Sequence, residues 1–192
     1  MIPSPDLQFF GLCGGSRSDS LNTRLLARAA AALPACARLE TAAPAALDLP
    51  LYAAEREAGV PPGVSALAGS LARADGVIVA SPEHNASIPA ALKNLLDRLS
   101  RLPGGERPFS GKPALLLSAA PARLGGARGL AHLRDVLTAL GTEVVLEQVA
   151  LARAHTAIEA AEADAAHPLN ADLDAALVAL LGRVNARRRA AA

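Results

Sequence analysis

The chain has 192 residues, of which 52% are hydrophobic and 19% charged, and its formal net charge is +1 at pH 7. This length suits one domain with a full core, and the apolar fraction excludes an intrinsically disordered chain. A charge so close to zero argues against binding nucleic acid or anionic membrane over a large surface, and leaves open only a local basic patch.

The first residues, MIPSPDLQFF, carry neither a basic n-region nor a long apolar run, so we expect no signal peptide. No stretch reaches the roughly 18 apolar residues that a membrane span needs. Cys13 and Cys36 are too few for a disulfide framework, and they lack C-x-x-C spacing. We therefore expect a cytoplasmic protein.

Apolar periodicity switches between strand and helix along the chain. In chain order it predicts strand 7–13, helix 21–33, a weak strand 37–41, helix 64–71, strand 76–81, helix 88–99, strand 112–120, helix 130–140, strand 143–149 and helix 173–184. Residues 53–62 are predicted as an exposed loop, 152–168 as a surface arm with a helical turn, and Arg187–Arg189 as part of a solvated, frayed end. Five strands alternating with five helices predict one doubly wound α/β domain.

Ligands of doubly wound sheets bind outside the carboxyl ends of the strands. Three loops that follow strands are rich in residues that donate hydrogen bonds or that give the backbone conformational freedom. The loops that precede strands contain fewer such residues. The three are GGSRSDSLN after the first strand, SPEHNASIP after the third and SAAPARLGGARG after the fourth. This asymmetry predicts one ligand site at that edge of the sheet.

The first loop has the composition of a phosphate site at a helix N-terminus. Gly14 and Gly15 let the backbone approach an anion, and Arg17 offers a bidentate, charge-assisted contact. Hydroxyl and amide donors come from Ser16, Ser18, Ser20 and Asn22. Neither G-x-x-x-x-G-K-[ST] nor G-x-G-x-x-G is present, which favours a single phosphomonoester. The alternative is that Ser18 or Asp19 only caps the helix.

The second loop is bracketed and stiffened by Pro82 and Pro89. Its middle, EHNAS, offers backbone donors and short polar side chains, which suit the edge of a planar heterocycle. His84 would stack on such a ring or donate to it. The alternative is that Asn85 or Ser87 caps the next helix.

The third loop contains Gly125 and Gly126, which allow it to move. It is either a plain surface turn or a wall over the ligand, where Arg123 or Arg128 would meet the phosphate of a second, diffusing substrate.

No catalytic side chain is assigned. The histidines and acidic residues form no cluster with metal-ligand spacing, and no serine lies in a G-x-S-x-G elbow.

Three segments resemble the signature regions of the NADPH-dependent FMN reductase family, whose relatives include quinone, azo-dye and chromate reductases. They are GGSRSDSLN, PEHNASIPAALKNLLDRLSR and SAAPARLGGARGLAHLRDVLTALGTEVV, in the family's order, and LDLPLY at 47–52 is also similar. The second segment is the most specific, because P-E-x-N-x-S-x-P followed by L-K-N-x-x-D is hard to reach by chance. The resemblance implies a flavodoxin-like, three-layer doubly wound sandwich with a five-stranded parallel sheet of order 2-1-3-4-5, in which residues 1–192 form a single FMN-binding domain.

By motif position, the resemblance places the FMN phosphate against the first loop and the isoalloxazine ring against the second. The residues so implied are Gly15, Ser16, Arg17, Ser20, Leu21 and Asn22 for the phosphate, Pro82, Glu83, His84 and Asn85 for the ring, and Ser118 nearby. Backbone N–H groups of residues 83–85 would bond to the ring, and Tyr52, His84 and Phe109 would help to line the pocket. The chain departs from the family where the serine of G-S-x-R is displaced, where His84 replaces a common tyrosine and where Arg98 replaces a common tryptophan.

The implied activity is hydride transfer from NADPH or NADH through bound FMN to a quinone, azo, metal-oxyanion or free-flavin acceptor. The implied partners are this small molecule and further copies of the chain, in a homodimer or homotetramer, with neither nucleic acid nor membrane. Two alternatives stay open. One is a flavodoxin-like electron carrier or redox sensor that does not turn over NAD(P)H, although such carriers are usually strongly acidic. The other is a member that binds no flavin.

Overall fold

The strands form one parallel sheet in the order β2-β1-β3-β4-β5. In the computed structural model, which describes residues 7–17, 19–56 and 59–191, they are β1 (Leu7–Cys13), β2 (Ala37–Thr41), β3 (Gly76–Ala80), β4 (Pro113–Ala119) and β5 (Glu143–Leu151). Every residue of β3 and β4 is buried, as central parallel strands covered on both faces should be. The predicted sheet order and the parallel pairing are confirmed.

Helices cover both faces of the sheet. They are α1 (Leu21–Ala31), α2 (Pro62–Arg73), α3 (Ala90–Leu99), α4 (Ala127–Ala139), α5 (Ala154–Ala163) and α6 (Pro168–Ala191). Because successive strand residues point to opposite faces, Phe9 and Ile78 pack with α1, α5 and α6, whereas Phe10 and Val77 pack with α2, α3 and α4. The sandwich therefore has the three predicted layers.

None of the helices in the described part of the chain combines the length and the apolarity that crossing a membrane requires.

The carboxyl ends of all five strands lie at one edge of the sheet, because the strands are parallel. Backbone hydrogen bonds join the loops that leave this edge. Gly14 N–H donates to Ala80 O at 2.8 Å, and Ser81 N–H donates to Leu117 O at 2.9 Å. The loops after β1, β3 and β4 thus start from fixed and adjacent points.

Two predictions about the C-terminal part of the chain are wrong. Residues 152–168 are not a surface arm, because Ala154–Ala163 form α5 and Ile158 is fully buried beside α1 and α6. Alanine gives little contrast between the two sides of a helix, so the sequence concealed this apolar face. The basic end does not fray either: it continues α6, and Arg188 Nη2 lies 2.6 Å from Asp75 Oδ2.

Candidate functional site

A cleft of ≈ 420 Å³ opens at the carboxyl edge of the sheet, between the loop after β1 and the loop after β3. This volume lies within the range of about 300–1,000 Å³ that is usual for small-molecule sites. The cleft is lined by Gly15, Ser16, Arg17, Asp19, Ser20, Leu21, Asn22, Pro82, His84, Ala119 and Pro121. The structure therefore brings together eight of the eleven residues predicted for the site. The other three, Glu83, Asn85 and Ser118, are outside this lining.

The N-terminal end of α1 faces the cleft with free backbone donors. Ser20 is the N-cap of α1, and its Oγ accepts from Asn22 N–H at 3.2 Å. The prediction that Asp19 caps the helix is wrong, and Ser18 lies outside the described residues. Within the described ranges, the N–H groups of residues 15–17 and of Leu21 donate to no protein acceptor.

Gly15 is required by a close approach. A Cβ atom built at this position would overlap Ser20 Oγ, the atom that caps α1. A side chain at position 15 would therefore require either that Ser20 Oγ leave its capping position or that the loop shift. Glycine at this position lets the loop lie close to the positive end of the α1 dipole while Ser20 keeps its cap.

Arg17 and Asp19 form an ion pair at the rim of the cleft. Arg17 Nε donates to Asp19 Oδ1 at 2.8 Å, and Arg17 Nη2 donates to Asp19 Oδ2 at 2.6 Å. Their mutual hydrogen bond is the main reason why the pKa of Arg17 lies above its ordinary value and the pKa of Asp19 lies below it. Both side chains are mostly exposed, so water and salt screen the attraction between them.

Asn22 has a structural partner that the sequence did not reveal. Its Nδ2 donates to Ala119 O and its Oδ1 accepts from Ala119 N–H, both at 2.9 Å, and the side chain is buried. The pairing of β3 with β4 ends at Ala80 and Leu117, so Asn22 continues the ladder along β4 beyond the end of β3. The amide predicted to meet the phosphate therefore has both of its ends bound to backbone.

The second loop forms a tight hairpin. His84 N–H donates to Ser87 O and Ser87 N–H donates to His84 O, both at 2.9 Å. The two residues between them, Asn85 and Ala86, have φ angles of 49° and 64°, as a type I′ turn requires. The N–H of His84 is thus used inside the hairpin. Those of Glu83, Asn85 and Ala86 have no acceptor among the described residues.

The predicted capping role of Asn85 or Ser87 is wrong. α3 has Pro89 at its N-cap, and none of the described side chains bonds there. Ser87 Oγ instead lies 3.0 Å from Nδ1 of His132 on α4.

Glu83 joins the hairpin to α4. Its carboxylate accepts from Nε and Nη2 of Arg128 at 3.0 and 2.6 Å, and from the backbone N–H groups of Arg128 and Gly129 at 3.1 Å. Burial disfavours ionisation of Glu83, but these hydrogen bonds outweigh it, and the pKa of the carboxyl lies below its ordinary value. The Glu83 side chain therefore caps the N-terminal end of α4, although it belongs to the hairpin. It also binds the guanidinium of Arg128.

Ser118 lies beneath the third loop. It is fully buried, and its Oγ has no hydrogen-bond partner within the part of the chain that the structure describes. Gly126, with φ of 90°, passes so close that a Cβ atom there would overlap Ser118 Oγ. The glycine is needed both for its left-handed backbone and for this contact. Proximity of Ser118 to the flavin ring stays a prediction.

Of the three ring-bearing residues predicted to help line the pocket, His84 lines the cleft, whereas Tyr52 and Phe109 do not. Phe109 is buried in the core formed with α2, α3 and α4, so its prediction is wrong. Tyr52 lines a separate cavity, together with Val60 and Arg98, instead of the cleft. Arg98, at the position where the resemblance implies a common tryptophan, is buried and donates through Nε to Pro50 O at 2.9 Å. This contact secures the segment after β2 to α3.

Sequence reasoning missed several residues at this edge. Ala119, the last residue of β4, and Pro121, two residues after it, line the cleft, and their apolar side chains carried no signal. The place of Asp19 in the lining could have been inferred from its neighbours in the first loop.

No group of His, Cys, Asp and Glu within the described ranges could hold a metal ion.

Comparison with known proteins places the chain in a family. The model of the NADPH-dependent FMN reductase family matches residues 7–156. A quinone reductase of Escherichia coli is 40% identical over 144 residues, which cover 74% of this chain and 75% of that protein. An NAD(P)H-dependent FMN reductase of Pseudomonas aeruginosa is 39% identical over 138 residues, covering 71% of this chain and 72% of that protein.

Solved structures agree with this result. The flavoenzyme NAD(P)H:(acceptor) oxidoreductase FerB from Paracoccus denitrificans superposes with a TM-score of 0.76 at 26% identity, covering 92% of this chain and 98% of that one. A flavodoxin from Pseudomonas aeruginosa, at 18% identity and a TM-score of 0.55, shares the fold and covers 89% of this chain and 99% of its own. The predicted flavodoxin-like fold is confirmed. The chain belongs to the NADPH-dependent FMN reductase family and is an oxidoreductase with FMN as cofactor and NAD(P)H as co-substrate.

Proposed function

We propose that the cleft at the carboxyl edge holds FMN, with its phosphate at the N-terminal end of α1 and its ring beside the hairpin turn. The observation that carries this proposal is the set of unbonded N–H groups at residues 15–17 and Leu21, in a loop where a Cβ atom at Gly15 would overlap Ser20 Oγ. Such donors at a helix N-terminus suit a phosphate. Pro82 and His84, on the opposite side of the cleft, would border the ring.

Bound FMN would supply the redox chemistry, since a flavin accepts a hydride from NAD(P)H and passes two electrons to an acceptor. The residues of the chain bind and orient. The hydroxyl of Ser16 and the guanidinium of Arg17 would join the backbone donors at the phosphate. The N–H groups of Asn85 and Ala86 have no acceptor among the described residues. They lie in the turn after His84, outside the cleft lining, and would donate to the edge of a ring that extends to this turn. No side chain of the cleft needs to transfer a proton, so no catalytic residue is assigned.

We propose Arg123 as the side chain that meets the phosphates of the nicotinamide dinucleotide. Arg128, the other candidate, is bound to Glu83. Arg123 is exposed, makes no ion pair within the described ranges, and follows Pro121, which lines the cleft. NADPH and NADH both carry a pyrophosphate, so this contact would serve either co-substrate.

We propose a quinone as the acceptor, with free flavin as a second one. The names of the similar proteins support this choice, since they include a quinone reductase and an FMN reductase. A cytoplasmic homodimer or homotetramer is proposed from the family resemblance alone, and one domain spanning residues 1–192 stays a prediction. Light scattering during size-exclusion chromatography would measure the assembly.

An absorption spectrum and two reactions test the proposed function. The purified protein should be yellow, and NADPH should bleach it in the absence of oxygen. Steady-state oxidation of NADPH should then depend on added benzoquinone. A protein that binds FMN but does not oxidise NADPH under these conditions would instead be an electron carrier.

The placement of the phosphate is tested by Arg17→Ala. Loss of a charge-assisted hydrogen bond should raise the FMN dissociation constant about tenfold or more, as measured by quenching of flavin fluorescence. Arg189→Ala, at an exposed arginine near the end of α6, is the matched control and should leave the constant unchanged. If Arg17→Ala binds FMN as tightly as the parent, the phosphate lies elsewhere.

A further inference from the structure

We propose that Asp19 competes with the phosphate of FMN for Arg17, and so weakens the binding of FMN. This inference rests on the proposed function, because it assumes that the phosphate binds at the loop after β1. Its starting point is the ion pair in that loop, in which one edge of the guanidinium carries two hydrogen bonds to one carboxylate.

The edge of Arg17 that Asp19 occupies is the one a phosphate would also use. A guanidinium binds a carboxylate and a phosphate in the same bidentate manner, through two parallel N–H groups. Nε and Nη2 of Arg17 already lie 2.8 and 2.6 Å from the two carboxylate oxygens of Asp19. A phosphate that takes this edge must displace the carboxylate, and one that takes the other edge must bind beside it.

The formal charges of the side chains in the cleft also indicate that Asp19 opposes phosphate binding. Arg17 and Asp19 are the only charged side chains among the described residues that line the cleft, so their formal charges cancel. The side chains of the cleft therefore offer a dianionic phosphate no net positive charge. The attraction that remains comes from the backbone donors and from the dipole of α1. With asparagine at position 19, the same cleft would carry one uncompensated positive charge.

Two contributions set the size of the effect. The first is repulsion: a phosphate held by Arg17 would lie roughly 6 Å from the Asp19 carboxylate, since one guanidinium separates them. A phosphate monoester carries about 1.5 to 2 negative charges at pH 7, so removal of this repulsion, screened by salt, should tighten binding about twofold to threefold. The second is competition: release of Arg17 from its exposed ion pair should add about 1.5-fold to fourfold. Together, removing the carboxylate should tighten binding about threefold to tenfold.

The test measures the dissociation constants of FMN and of riboflavin, which lacks the phosphate, by fluorescence quenching on the full chain freed of flavin. Asp19→Asn should lower the constant for FMN about threefold to tenfold and change that for riboflavin less than about twofold. Glu106→Gln removes the same charge from an exposed residue in the loop before β4, at the opposite edge of the sheet. This matched control should change neither constant.

The double variant separates competition from simple repulsion. In the Arg17→Ala background, Asp19→Asn should give a smaller gain in FMN affinity than in the parent, because no guanidinium remains to compete for. Equal gains in the two backgrounds, or weaker binding of FMN by Asp19→Asn, would overturn the inference while the phosphate site stands. An unchanged FMN constant in Arg17→Ala would overturn the phosphate site and this inference together.

Discussion

Replacing Asn22 by alanine tests whether this residue builds the site or binds the ligand. The sequence assigned its amide to the phosphate, whereas the structure gives both ends of the amide to the backbone of Ala119. The two roles predict different measurements. A structural role predicts loss of stability without ligand, and a binding role predicts loss of affinity alone.

The expected loss follows from the groups left behind. Asn22→Ala strands one N–H and one C=O of Ala119, which is itself buried. Each unsatisfied buried group costs about 1–3 kcal/mol, and a water entering the vacated space would recover part of this. We therefore expect the free energy of unfolding to fall by about 2–4 kcal/mol, a large part of the 5–15 kcal/mol typical of a domain.

Urea denaturation of the flavin-free protein measures this loss. The midpoint should fall by about 1–2 M with an unchanged m-value. Asn185→Ala, at an exposed asparagine of α6, is the matched control and should stay within about 0.5 kcal/mol of the parent. Unchanged stability in Asn22→Ala, together with a large rise in the FMN dissociation constant, would show that the amide serves the phosphate and would refute the structural role.

Three further substitutions probe the other two loops by urea denaturation. Ala86→Gly should raise the free energy of unfolding by up to about 1 kcal/mol, because glycine adopts the left-handed conformation of this position without strain; a lower value would contradict the type I′ turn. Glu83→Gln should lower it by about 1–2 kcal/mol at pH 7 by weakening the bonds from Arg128. Since the pKa of Glu83 is depressed in the folded protein, its contribution is complete above pH 4.5, and the gap to the parent should close as the pH falls below that value. Ser118→Ala should raise the free energy of unfolding by about 1 kcal/mol, because the buried hydroxyl has no described partner, and a loss would indicate one.

The sheet could be predicted from the sequence because its central strands are continuous apolar runs. GVIVA at 76–80 and LLL at 115–117 are buried on both faces, and such runs between turn residues indicate parallel strands. α5 was missed for the opposite reason. Its buried positions include Ala154 and Ala161, and small residues on every side leave no stripe to detect.

The hairpin of the second loop was not predicted because its turn has an unusual sequence. A type I′ turn is signalled by Asn-Gly, and here the second position is Ala86. The contacts that secure the loops were also out of reach. Glu83 and Arg128 are 45 positions apart, and Asn22 and Ala119 are 97 apart, so no local pattern connects them.

These long-range contacts give polar residues of the predicted site a structural role that the sequence did not reveal. Asn22 and Glu83 are hydrogen-bonding residues in loops at the ligand edge, yet both hold backbone N–H groups of neighbouring elements. The donors without an acceptor beside the cleft belong to the main chain, namely the N–H groups at 15–17 and at the start of α1. Every residue except proline has such a group, so the sequence marks it only where a side chain is missing, as at Gly15. The side chains fix the loops, and the direction of the backbone they fix determines which ligand atoms can bind.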